Sequence, residues 1–184
     1  MKYFKANIFY MLIFCLKPIT CGRGQVYDVT QIDTIDIPGN LVKISSRIIG
    51  RDSAINGTWE FLEEVNNDAK MEIAIFVDTV QNGDWKPMAI KLPVLGVCTT
   101  LKRYYNSYIK KSFITGVTTD FDFKNGDLCP IPTGKYWMKN VILDSDNWLN
   151  LMPTGYVKVQ ISVIKDNIFG GAFAVIVKIE NKPL

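Results

Sequence analysis

The 184-residue chain contains no histidine. That removes the usual general base near neutrality, the commonest metal ligand and the usual physiological pH switch. A Ser-His-Asp or Cys-His arrangement is impossible without it. Nucleophile elbow, zinc-ligand spacing, Walker loop and dinucleotide fingerprint are all missing as well. Large charge of either sign is also lacking: 21 basic residues face 18 acidic ones, a formal net charge of +3. No Lys/Arg-rich patch stands out of the kind that tracks a phosphate backbone. Lys102-Arg103 and Lys110-Lys111 read as a solvated helix face, and nucleic acid is not an expected partner.

Apolar runs of membrane-spanning length are absent. The longest, Ile8 to Leu16, is far short of the ~20 residues a span needs. Lys2 and Lys5 precede it, and Pro18, Thr20, Cys21, Gly22 and Gly24 follow. A basic start, a short apolar core and small residues read as a cleaved secretory signal. Residues 1–22 are assigned to that signal and residues 23–184 to one domain. Removing the leader takes Lys2, Lys5 and Lys17 with it, leaving 18 basic against 18 acidic residues if the cut precedes Arg23. The basicity therefore belongs to the leader.

Cysteine is scarce, with four in all. Cys15 lies in the leader and Cys21 at its edge. Cys98 and Cys129 remain, and an oxidising compartment favours one bridge between them over two buried free thiols. If Cys21 stays on the mature chain, an odd thiol is left for intermolecular pairing. Asn56-Gly57-Thr58 is the one N-x-[ST] sequon, a glycan acceptor expected on a surface turn.

Carboxylates do occur in pairs: Glu63-Glu64, Asp120 with Asp122, and Asp144 with Asp146. A glycosidase needs two acids facing across a cleft. These read as loop solvation instead, and Asp144-Ser145-Asp146-Asn147 lacks the closing glutamate of a calcium loop. No catalytic residue, cofactor or metal site is assigned, and enzyme activity is not expected.

What is present is alternation. Met71, Ile73, Ile75 and Val77 face one way and Glu72, Ala74, Phe76 and Asp78 the other, which is strand periodicity. Thr58 to Val65 precedes it across Asn66-Asn67-Asp68, and the two read as a hairpin. Leu41 to Ile49 is an earlier strand, and Trp85 to Leu92 another, ended by Pro93. Val157, Val159, Ile161 and Val163 alternate with polar residues. Lys165-Asp166-Asn167 then turns the chain into Phe173, Val175, Val177 and Ile179, the clearest hairpin of the sequence. Gly170-Gly171 marks a bulge at that strand's start. From Thr99, Leu101, Tyr104, Tyr105, Tyr108 and Ile109 recur at helical spacing. They predict one helix of about three turns, capped by Thr99 or Thr100. A sandwich follows as the expected class, with a closed barrel left open.

Apolar surface is in excess at Trp148-Leu149-Asn150-Leu151-Met152, a connection that should be polar. It predicts a pocket mouth or a contact patch, or else ordinary core cover. Tyr136, Met138 and Ile142 share a face of the preceding strand. With Trp148, Leu149, Leu151 and Met152 they form the candidate ligand-binding set. The polar Asn140 on that same face is unexpected.

That strand is launched by Asp127-Leu128-Cys129-Pro130-Ile131-Pro132-Thr133-Gly134-Lys135-Tyr136. Neither proline can donate to a ladder, so pairing begins after them. This C-P-x-x-x-G-x-Y core resembles that of the insect CheB-type chemosensory proteins, within a larger uncharacterised family of secreted insect proteins. That group is similar in turn to the ML lipid-recognition and ganglioside-activator proteins. The likeness runs from Cys98 to about Lys158 and includes the Leu101-Tyr104-Tyr105-Tyr108 run. It implies a mainly β, two-sheet, immunoglobulin-like (ML-type) sandwich with one short helix after Cys98. It also implies a hydrophobic ligand, lipid or cuticular hydrocarbon, held between the layers in contact chemosensation, with a sodium channel or receptor as a further partner. The alternative is a secreted protein-interaction module with a filled core, anchored through Trp148, Leu149 and Met152.

Overall fold

A computed structural model describes residues 27–148 and 152–181. The leader expected at 1–22, and Leu149 and Leu151 of the candidate set, lie outside the described residues. The chain folds as two antiparallel sheets with one short helix after β6. In order come β1 (Tyr27–Ile37), β2 (Val42–Ile49), β3 (Ala54–Phe61), β4 (Lys70–Asp78), β5 (Lys86–Pro87), β6 (Leu95–Gly96), α1 (Val97–Tyr104), β7 (Gly134–Val141), β8 (Gly155–Lys165) and β9 (Ile168–Asn181). The larger sheet runs β1-β9-β8-β4-β5, with β6 also paired to β4; the smaller is β2-β3-β7. No helix among the described residues is long and apolar enough to cross a membrane.

The β8–β9 hairpin forms as its alternation demands. Asp166 and Asn167 at its tip both adopt positive φ, 51° and 61°, the geometry whose twist matches the flanking strands. Pairing slips between Val163 and Ile164, so Gly170 is the extra residue of a bulge. Gly171 has φ +132°, and a Cβ there would stand 2.4 Å from the Val42 carbonyl oxygen. Only glycine fits that approach.

The hairpin expected between Thr58–Val65 and Met71–Asp78 does not form. β3 pairs with β2 and β7, whereas β4 pairs with β8, so residues 62–69 carry the chain from one sheet to the other. Alternation names a strand's faces but not its partner. The strand expected over Trp85–Leu92 shrinks to Lys86–Pro87, since prolines 87 and 93 bound a stretch that cannot sustain a ladder.

The helix starts at Val97, two residues before the expected cap. Neither Thr99 nor Thr100 caps it. Asn67 does so from the inter-sheet connection: its Oδ1 accepts the Thr99 N–H at 3.0 Å and the Thr99 hydroxyl at 3.2 Å. Past Tyr104 the helix widens into one π turn over Tyr105–Ile109, closed by the Lys110 N–H donating to the Tyr105 carbonyl at 2.9 Å. Cys98 and Cys129 are disulfide-bonded, tying the helix start to the segment that launches β7.

Two bolts join the sheets along one side. Asp36 of β1 accepts the Ser46 N–H and hydroxyl, each at 2.7 Å. Gln31, itself buried, donates to the Ser53 and Val141 carbonyls and accepts the Leu143 N–H. At that end Ile55, Val141, Val157, Val177 and Ile179 pack with almost no exposure.

Candidate functional site

At the other end the sheets part. They enclose a cavity of about 380 Å³. Its floor is the inward row of the larger sheet: Met71, Ile73 and Ile75 of β4, Val159 and Ile161 of β8, and Phe173 of β9. These residues are only half-buried although they face inward. The smaller sheet contributes Ile44, Trp59, Phe61 and Met138, and α1 with its π turn contributes Leu101, Tyr104 and Tyr108.

A block of aromatic rings keeps the sheets apart. Trp59 stacks on Phe113 with centroids 5.4 Å apart. It meets the edges of Phe121 and Phe123 at 5.4 and 5.7 Å. Phe121 and Phe123 contact each other at 4.7 Å. Edge-to-face and offset geometries of this kind add to the burial of the rings themselves. The Trp59 Nε1 donor is closed in among them, with no hydrogen-bond partner among the described residues.

The alternation that puts Phe121 and Phe123 inside puts Asp120 and Asp122 outside. Asp120 accepts the Trp137 N–H at 2.8 Å. Asp122 holds Lys124, whose ammonium lowers the carboxyl's pKa through that hydrogen bond. Neither acid lines the cavity, and no carboxylate, lysine or arginine does so among the described residues. Apolar surface with a few hydroxyls can hold and shape a hydrophobic molecule.

The structure brings part of the candidate set together. Met138, Trp148 and Met152 line the cavity, and Leu143 joins them. Tyr136 does not: it packs on Phe121 at 4.8 Å, behind the aromatic block. Ile142 is turned the other way and is 52% exposed. The cause is a bulge in β7. Asn140 adopts φ +53°, and pairing with β3 slips between Ile55 and Gly57, so the residues after it change face. The same bulge resolves the oddity of Asn140, which points out of the sandwich and donates its N–H to Asn56 Oδ1 at 3.2 Å.

The loop that carries Trp148 is fastened to the helical segment. Asn147 donates to the Ser107 carbonyl at 2.8 Å, and the Asp144 N–H to Ser112 Oγ at 2.9 Å. Lys111 reaches Asp146 at 2.6 Å and Asp144 at 3.4 Å; the Asp146 hydrogen bond raises its pKa. Asn56 of the sequon lies not on a turn but within β3, on its outward side with Thr58, since Ile55 and Trp59 face inward.

Sequence reasoning missed Trp59, Phe113, Phe121 and Phe123, and the β4 and β8 residues as cavity lining. Their inward direction was readable from alternation. Their exposure to a void was not, because a filled core needs the same residues.

Residues 71–159 match a family model described as a protein of unknown function, DUF1091. The match runs from β4 into β8, so it takes in the helical segment, both bridged cysteines, the fastened loop and Phe113, Phe121 and Phe123, while Trp59 lies outside it. The chain has no match among curated proteins.

Proposed function

We propose that the protein is a secreted binder of a hydrophobic small molecule, held between its two sheets. The observation that carries this reading is the apolar cavity of about 380 Å³, which falls within the ~300–1,000 Å³ typical of ligand sites. Trp148 and Met152, an aromatic and a flexible thioether in a connecting loop, suit a loosely shaped apolar guest. The likeness to CheB-type proteins supports a lipid or a cuticular hydrocarbon as that guest, and contact chemosensation as its setting. The chain's leader-like start supports secretion. The disulfide fits that compartment. The unfilled volume speaks against the alternative of a filled-core interaction module.

Titration of the full chain, produced in insect cells, with N-phenyl-1-naphthylamine tests this reading. Saturable fluorescence enhancement is expected. Ile161→Phe, which puts a ring into the void, should fold and weaken that enhancement. Probe binding that is unchanged in this variant would count against the cavity as the site.

A further inference from the structure

The cavity's size and lining restrict its occupant further, given that it binds as proposed above. A volume of about 380 Å³ lies near the low end of the ~300–1,000 Å³ range of ligand sites. That suits one medium-length chain. A two-chain membrane lipid exceeds it.

Charge is excluded by the lining. An ionised carboxylate or phosphate drawn inside would lose its water and gain no counter-charge, since no basic side chain lines the cavity among the described residues. On the helical segment Lys102 pairs with Asp127 at 2.9 Å. Lys111 serves Asp144 and Asp146, and the Arg103 guanidinium lies 5.5 Å over the Tyr104 ring.

The polar groups that the lining does offer are hydroxyls. Thr100 already donates to the Gly96 carbonyl at 3.0 Å. Tyr104 and Tyr108 stand one turn apart, their ring centroids 6.1 Å from each other, and Tyr108 is 44% exposed, which places the pair at the rim. Neither hydroxyl is engaged by a hydrogen bond among the described residues. Each can donate to a ligand oxygen and accept from a ligand hydroxyl. The enclosed Trp59 N–H cannot.

We infer that the cavity takes a single-chain, uncharged amphiphile, with its hydroxyl or carbonyl end at Tyr104 and Tyr108 and its chain running inward over Ile161. Displacement of N-phenyl-1-naphthylamine from the full chain by 1-dodecanol, dodecane, dodecanoate and dioleoylphosphatidylcholine tests this. Dodecanol should displace at about three- to tenfold lower concentration than dodecane, the worth of one hydrogen bond. Dodecanoate at neutral pH and the phospholipid should be weaker than both. The double variant Tyr104→Phe, Tyr108→Phe should bring dodecanol down to dodecane and leave dodecane unchanged. Dodecanoate or the phospholipid displacing as well as dodecanol would overturn the inference, as would a dodecanol preference that survives in the double variant. Failure of the probe itself to bind would overturn the binding reading along with this one.

Discussion

The two ends of the sandwich share strands and differ in outcome. Along β8, Val157 is wholly buried while Val159 and Ile161, two and four residues on and facing the same way, are half-exposed. The residues are equivalent in kind; what differs is what stands opposite. At the packed end Gln31 bolts β1 to the smaller sheet and draws Ile55 and Val141 down onto Val157, Val177 and Ile179. At the hollow end the Trp59–Phe113–Phe121–Phe123 block and the helical segment hold the layers apart. Inward-facing aliphatics therefore prepare either a core or a cavity, and the spacers decide which.

The largest effect is expected from removing the spacer. Trp59→Ala should cost about 3–5 kcal/mol in urea unfolding, as aromatic truncations in packed surroundings do, and should abolish probe binding. Removing the staple by Cys98→Ala with Cys129→Ala opens a loop closed over a 31-residue separation. It should cost about 4 kcal/mol in the chain-entropy model, read as a lower urea midpoint. Gln31→Ala strikes the other end. It leaves the buried Val141 carbonyl, the part-buried Ser53 carbonyl and the Leu143 N–H without their partner, at about 1–3 kcal/mol for an orphaned group, and probe binding should survive in the folded fraction.

A matched pair of substitutions sharpens the contrast. Val177→Phe overfills the packed end and should cost about 1–3 kcal/mol. Ile161→Phe enters the void and should shift the melting temperature little. Equal costs for the two would mean that the ends do not differ.

The smallest effect is expected outside both ends, at Asp78. Burial pushes its carboxyl pKa up, but the backbone N–H groups of Gly83, Asn82, Gln81 and Val80 outweigh that, and the pKa is lowered from 3.8. Its stabilisation is therefore complete above the ordinary carboxylate value and is lost as pH falls through the lower folded value. Asp78→Asn should lower stability at neutral pH and flatten the acid limb below about pH 4, measured by urea midpoints across pH.

Much of this architecture is legible in the sequence where one local signal suffices. The β8–β9 hairpin follows from alternation plus Asp166-Asn167, its bulge from Gly170-Gly171, and the helix from the Leu101-Tyr104-Tyr105-Tyr108 spacing. The rest depends on relations between distant segments. The partner of β4 is set by packing rather than by its own pattern. The helix cap comes from Asn67, some thirty residues upstream. Ile142 changes face because Asn140 tolerates a left-handed backbone, which no alternation count shows. The candidate site is half legible for the same reason: Met138, Trp148 and Met152 announce themselves by type and place. Ile73 and Ile161 look like any core residue.

Whether an apolar guest sits between the sheets is read from native mass spectrometry of the full chain purified from insect cells, with extraction of whatever is bound. One neutral, single-chain molecule per chain is expected, either retained from the cells or taken up from added 1-dodecanol, and held more weakly by Ile161→Phe. An apo mass that stays clean after incubation with dodecanol, from a protein that is otherwise folded, would contradict that binding.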